Sequence, residues 1–305
     1  MIEFSFPRYL LAKQSVDDRA LNRGVLADLQ LALATWPASE PLQVVEVGAG
    51  IGTMLARLLR WQVLPAKIDY TLVDEMDENM RYAQRWLPEW AAQNGFDVEI
   101  GENETRLSDS RISVRVHFIQ ADVFDFIQAQ AGFRYDLLIA HAFLDLLTMP
   151  AALLSLFSLL KSDGLAWLTV NFDGVTSLQP TLDPALDALI ERLYHQSMDS
   201  RPSGGDSQAG RHLFGNLQQA GAEIVSAGAS DWVVYPRQGQ YPADEAYFLN
   251  FILHFFETAL AQEPGLDPNR FAGWILRRRA QVERGELVYI AHQMDFLAKI
   301  IQPRP

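Results

Sequence analysis

Apolar positions along this chain follow two periods, and the switches between them outline alternating strands and helices. An apolar run from Leu42 to Val47 is followed by glycines at 48, 50 and 52, then by Met54, Leu55, Leu58 and Leu59 at helical spacing. That order predicts strand, tight turn and helix. Ile68 to Asp74 is a second β-rich run that ends in an acid, and Met80, Ala83, Leu87 and Ala91 then mark a helix that stops at Gly95. Ile112, Val114, Val116 and Phe118 alternate with polar residues, which predicts a half-buried strand near the sheet edge. Residues 135–140 and 164–171 are buried strands, separated by a helix over 149–161 and a turn at Ser162-Asp163-Gly164.

The flanking segments add more helix. Ser15-x-x-Asp18 reads as a capping pattern ahead of Leu21, Val25, Leu29 and Leu33, and Trp36-Pro37 ends that helix. Residues 95–112 are charged and read as a surface connection. Asp183-Pro184 opens a helix through Tyr194, and 223–225 with 232–235 supply a sixth strand. Tyr247, Phe248, Phe251, Ile252, Phe255, Phe256 and Leu260 give a helix apolar round most of its circumference, suited to a core, a homodimer contact or a pocket wall. Phe271, Trp274 and Ile275 begin another helix, and 286–292 is the last strand. Strands alternating with helices predict an α/β, doubly wound, mostly parallel sheet with helical insertions.

Composition narrows the partners. The chain has 305 residues, 25 Lys plus Arg and 38 Asp plus Glu, for a formal charge of −13. An acidic surface repels phosphate backbones, which argues against nucleic acid. There is no cysteine, so disulfides, thiol nucleophiles and cysteine zinc sites are excluded. Met1-Ile2-Glu3-Phe4 lacks the plan of a signal peptide and no apolar run reaches membrane-spanning length, so a cytoplasmic protein away from membranes is expected.

The glycine turn carries the chemistry. Glycine lets the backbone turn sharply and lets a ligand approach where a Cβ would stand, and the helix that follows offers free N–H groups. A dinucleotide fingerprint is G-x-G-x-x-G, but here Thr53 holds the third glycine position and the pattern is E-x-G-x-G-x-G from Glu46. Asp74 lies 22 residues after Gly52, where a carboxylate at a strand tip can meet ribose hydroxyls. Gln120-Ala121-Asp122-Val123 ends the third strand, and Tyr135-Asp136-Leu137-Leu138-Ile139-Ala140-His141 forms the fourth.

Taken in order, these motifs resemble the class I S-adenosylmethionine-dependent methyltransferases, whose fold is a doubly wound seven-stranded sheet with an antiparallel last strand. One departure is Ser162-Asp163 where the family's approach to its fifth strand has proline-glycine. The resemblance implies S-adenosylmethionine as cofactor. It implies Glu46, Gly48, Ala49, Gly50, Thr53, Asp74, Glu75, Met76, Asp122, Val123 and Ala140 as its binding residues, with Lys13 pairing the methionine carboxylate. Asp122 would accept from the adenine amino group and the Val123 N–H would meet a ring nitrogen.

The resemblance also implies methylation of oxygen or nitrogen by in-line displacement, with no metal. His141, at the strand tip beside the methyl, is the candidate base because its intrinsic pKa is near neutral. His141, Asn171, His212 and Tyr247 are expected to line the acceptor pocket. The expected acceptor is a small molecule; a protein methyltransferase and a non-catalytic cofactor-binding protein are the alternatives. The expected organisation is one domain over 1–305: an N-terminal helical cap (1–35), a cofactor half (36–174), and an acceptor half (175–305) with insertions at 175–215 and 241–284.

Overall fold

The computed structural model describes residues 3–102, 104–130, 132–201 and 204–301. Its centre is a five-strand parallel block. β1 (Leu42–Val47) lies between β2 (Lys67–Asp74) and β6 (Tyr135–His141), with β5 (Ser113–Gln120) and β7 (Leu160–Gln179) outside them. β10 (Val288–Ile300) runs antiparallel to β7, and β8 (Ala222–Ala229) pairs with its far side. The order β5-β2-β1-β6-β7-β10-β8 is the expected doubly wound seven-stranded core.

Alternation within each strand divides the core in two. Leu42, Val44, Leu137 and Ile139 point to one face of the sheet, and Val45, Val47, Leu138 and Ala140 to the other. All eight are fully buried, and each large one contributes about 1.5–3 kcal/mol on leaving water. The first face is covered by α1 (Phe6–Ala20), α2 (Arg23–Leu33), α3 (Thr53–Arg60) and α4 (Asp77–Gln93). The second is covered by α5 (Val123–Ala129), α6 (Ala151–Phe157) and α8 (Ala209–Gln219).

Several elements differ from expectation for identifiable reasons. The N-terminal segment is two helices. Pro7 opens the first, and the Asn22 side chain caps the second by accepting from Gly24 and Val25 N–H. Ser15 and Asp18 sit inside α1, where tertiary partners take their side chains: Ser15 donates to Glu245, and Asp18 pairs with Arg57 and Arg60. Residues 97–108 are not a plain surface connection. They form a hairpin, β3 (Asp97–Ile100) with β4 (Thr105–Ser108), which extends the sheet beyond β5. Only Thr105 and Leu107 of its eight strand residues are buried, so it carries little apolar signal.

The fifth strand of the parallel block, β7, is also longer than expected. It takes in the 162–164 turn and continues to Gln179, because β10 pairs with it from Leu165 to Gln179 across two register shifts. Val170 lies inside this stretch at φ 57, an uncommon conformation for a β-branched residue. Its N–H donates to the buried Asp295 carboxylate at 2.7 Å. The expected sixth strand is two strands, β8 and β9 (Trp232–Val234), which pair with different stretches of β10.

The segment 241–284 holds α9 (Glu245–Ala259) and α10 (Pro268–Glu283). The aromatic face of α9 is spent inside the chain. Phe251 stacks on Tyr9 of α1 at 4.5 Å between ring centroids, and Phe256 stacks at 3.9 Å on Tyr194 of α7 (Pro184–Asp199). Ion pairs fix the same contact. Glu245, with no exposed surface, accepts from Arg19 at 2.6 and 2.9 Å, and Asp244 pairs with Arg8. The buried Arg278 of α10 holds Asp187 of α7 at 2.9 Å.

Candidate functional site

β1, β2, β5 and β6 end at one edge of the sheet. Val47 stands beside Val73 and Ala140, and Asp74 beside Gln120. The turn after β1 uses glycine at left-handed φ three times, +63 at Gly48, +56 at Gly50 and +81 at Gly52. A Cβ on Gly48 would stand 2.4 Å from the Phe143 ring, and one on Gly50 would stand 2.8 Å from Leu10. Conformation and space therefore both call for glycine at these two positions.

Asp74 ties this loop to the next strand. Its Oδ2 accepts from Gly50 N–H at 2.8 Å, and its Oδ1 accepts from Met76 N–H at 2.9 Å and Asn79 Nδ2 at 3.0 Å. Burial raises its pKa, opposed by those three donors. Asp122 caps α5 through Oδ1, which accepts from Phe124 and Asp125 N–H, and its Oδ2 bonds to no described residue. Met76 and Phe124 flank these acids as partly exposed apolar side chains. Glu46 is buried and accepts from the Tyr70 hydroxyl at 2.7 Å; burial pushes it up to about 8.

A second cluster lies where α1 crosses the end of β6. The Asp17 Oδ2 meets His141 Nε2 at 2.9 Å and Lys13 Nζ at 3.1 Å, with Arg57 at 3.7 Å, and its Oδ1 accepts from Trp232 Nε1 at 2.9 Å. His141 Nδ1 bonds the Thr169 hydroxyl at 2.8 Å. Burial and the neighbouring Lys13 push the imidazole down to about 4. Against its own burial, Asp17 is held far below the usual carboxylate range by Lys13 and His141.

The structure gathers the sequence-derived residues unevenly. Glu46, Gly48, Ala49, Gly50, Thr53, Asp74, Glu75, Met76, Asp122, Val123 and Ala140 all fall along the edge formed by β1, β2, β5 and β6. Lys13 is buried against Asp17 and His141. The four expected acceptor residues do not meet. His141 is under α1, and Asn171 is sealed in the sheet with its amide donating to Met294 O. His212 is on the exposed side of α8, paired with Asp206, and the Tyr247 hydroxyl binds the backbone of residues 3–5. Each has a tertiary partner that local sequence does not reveal. Arg211, His212 and Thr148 line an open groove of about 730 Å³, which lies away from the glycine turn.

Sequence reasoning missed Asp17, Leu10, Asn79, Phe124 and Phe143. Asp17 offered no signal beyond its place in a charged helix. Phe143, two residues past the tip of β6, is the one whose position could have suggested contact with the loop.

Comparison with known proteins gives a family. A protein family described as “Putative S-adenosyl-L-methionine-dependent methyltransferase” matches residues 30–221. No curated protein matches the chain. Among solved structures, YjhP from E. coli is 15% identical with a TM-score of 0.49, covering 96% of this chain and 99% of its own. An S-adenosylmethionine-dependent methyltransferase from Thiobacillus denitrificans, solved with S-adenosyl-L-homocysteine, is 14% identical with a TM-score of 0.47, covering 97% and 99%.

Proposed function

The chain belongs to that family of S-adenosylmethionine-dependent methyltransferases, and from that premise we propose that it methylates a small molecule enclosed beneath its helical cap. The observation that carries this reading is the closure of α1 onto the strand ends. Leu10 of α1 packs against Gly50, Lys13 and Asp17 of α1 hold His141, and α9 is ion-paired to the outer side of α1. In open α/β sheets ligands bind at this edge, and a roof of helices over it favours an acceptor small enough to be surrounded.

The residues at the loop fit the cofactor by their donor set. Asp74 Oδ2 has one protein donor and so keeps acceptor capacity for a ribose hydroxyl. Asp122 Oδ2 is open for an amino group, and Met76 and Phe124 offer apolar surface to a purine. When bound, S-adenosylmethionine supplies an activated methyl group, so the protein's work is to orient both partners and exclude water. Both ring nitrogens of His141 are engaged within the fold, so in this reading it braces the cap against β6.

The experiment is a screen of small phenols, amines and carboxylates for conversion of S-adenosylmethionine to its demethylated product, with calorimetric titration of S-adenosylhomocysteine alongside. Turnover on a small metabolite is the expected result. Cofactor binding with turnover only on protein substrates would overturn the small-molecule reading.

A further inference from the structure

The groove of about 730 Å³ beside α8 has the size of a small-molecule site, for which about 300–1,000 Å³ is usual. Three stretches of chain build it: residues 147–149 beyond β6, residues 204–206 in the loop after α7, and the outer face of α8. The two loops are held against each other. A Cβ on Gly204 would collide with Thr148 Oγ1, and the Asp206 N–H donates to the Asp145 carbonyl at 3.1 Å.

The helix wall carries a glycine that packing does not require. His212, Gly215, Asn216 and Gln219 recur at i, i+3, i+4 and i+7, so they share the face of α8 that lines the groove. Leu213 and Leu217 take the buried face. Gly210 of the same helix is forced, since a Cβ there would stand 2.9 Å from the Asn171 carbonyl oxygen. Gly215 is not forced: the nearest atom to its Cβ position is Gln219 Nε2 at 4.0 Å. Alanine would fit at 215 and favour the helix. What glycine does there is leave the middle of the groove clear.

The charged groups of the groove already have partners. Arg211 Nε donates to Asp173 at 2.7 Å, and His212 Nδ1 meets Asp206 Oδ2 at 2.6 Å. Asp199 accepts from the Ser207 N–H at 2.7 Å and from its hydroxyl at 3.1 Å. The other oxygen of Asp206 is fixed by the Gln208 N–H at 2.8 Å. Held through Nδ1, the imidazole leaves Nε2 for a ligand. The groups that remain beside it are the Thr148 hydroxyl and the amides of Asn216 and Gln219. All three are neutral, and each both donates and accepts.

We propose that this groove is a second binding site, separate from the cofactor edge, and that its ligand is a small neutral polyol or sugar. Such a ligand presents hydroxyls that donate and accept at once, which matches the amides and the hydroxyl left open. Leu147 and Met149 add apolar lining for its C–H faces. Charge decides against the other classes. Asp173, Asp199 and Asp206 stand around one guanidinium, so an anion would meet repulsion. Each of those carboxylates already holds a donor of the fold, with which an ammonium group would have to compete. The site is independent of where the methyl acceptor binds.

The test uses the full chain with glucose and myo-inositol, beside gluconate and glucose 6-phosphate as anions and glucosamine as a cation. Binding is followed by ligand-observed NMR and calorimetry. Saturable binding of a neutral member with Kd below about 1 mM is expected, tighter than that of its charged relatives. His212→Ala should weaken it by about fivefold, the scale of one hydrogen bond. Gly215→Leu places a good helix former at an unobstructed Cβ and fills the groove. It should melt no lower than the parent, lose about tenfold or more in ligand affinity, and keep its affinity for S-adenosylhomocysteine. Gly215→Ala should melt higher than the parent. Absence of binding by both neutral ligands, preference for an anion or for glucosamine, or unchanged binding in Gly215→Leu each overturns the proposal. So does a lower melting temperature for Gly215→Ala, which would show that the fold itself needs the glycine. Loss of S-adenosylhomocysteine affinity in Gly215→Leu would overturn the separation of the two sites.

Discussion

The carboxylate of Asp74 accepts the backbone N–H of Gly50 at 2.8 Å, so the acid at the tip of β2 and the glycine turn after β1 form one unit. Asn79 and Met76 N–H hold the other oxygen. A carboxylate fixed by three donors loses little freedom when a ligand arrives, and the loop it holds is already in its left-handed conformation.

Asp74→Ala should therefore act twice, removing an acceptor for the ribose and releasing the loop. The expected loss of S-adenosylhomocysteine affinity is about 1.5–3 kcal/mol, the scale of bonds to a charged group. Calorimetric titration of the folded variant measures it. Wild-type affinity would remove Asp74 from the cofactor site.

Gly50→Ala tests the loop from the other side. A left-handed alanine costs about 1–2 kcal/mol, and its Cβ would stand 2.8 Å from Leu10 Cδ1. The variant should melt lower and bind cofactor more weakly. Adding Leu10→Ala should relieve the clash and leave the backbone penalty, so stability should return only in part. Full recovery in the double variant would mean that φ is not the constraint at this position.

The parts legible in the sequence were those that short range determines. The glycine turn, the acid ending β2 and the apolar runs of β1 and β6 are written in consecutive residues. What failed to show was fixed by distant partners. Ser15-x-x-Asp18 has the form of a cap, yet its side chains serve Glu245, Arg57 and Arg60, which lie at least 39 positions away. The Asp17–His141 contact spans 124 positions. Three of the four exposed residues in the β3–β4 strands, Asp97, Glu99 and Arg106, are charged, and the hairpin was hidden for that reason.

Glu46 should impose a pH dependence on stability. Its folded pKa of about 8 stands above the ordinary 4.5 because burial disfavours the charge. Between those values the folded chain holds more proton than the unfolded one, so this group's contribution falls as pH rises from 4.5 through 8. Glu46→Gln keeps an acceptor for the Tyr70 hydroxyl and removes the charge. The variant should gain stability over the parent at pH 8, on the order of 4 kcal/mol, and less than about 1 kcal/mol at pH 5. Denaturant melts at the two pH values decide it; equal differences at both would show that Glu46 is not held protonated.

His141 and Asp17 should act in the opposite sense. The imidazole is pushed down to about 4 from its ordinary 6.5, so between those values the unfolded chain binds the extra proton. The stability due to neutral His141 is complete above pH 6.5 and is lost as pH falls towards 4. Asp17, held low by Lys13 and His141, adds a further loss below the ordinary carboxylate pKa of 3.8. Replacing Asp17 by Asn leaves Lys13 and Arg57 buried without their shared carboxylate, which should cost about 3–5 kcal/mol. His141→Gln should flatten the slope between pH 6.5 and 4 while leaving the Lys13–Asp17 pair in place. NMR titration of the parent provides the direct check. A base open to the acceptor would titrate near 6.5, whereas an imidazole locked between Asp17 and Thr169 should show no protonation until well below pH 6. A midpoint near 6.5 would return His141 to the role of base and take the brace away from α1.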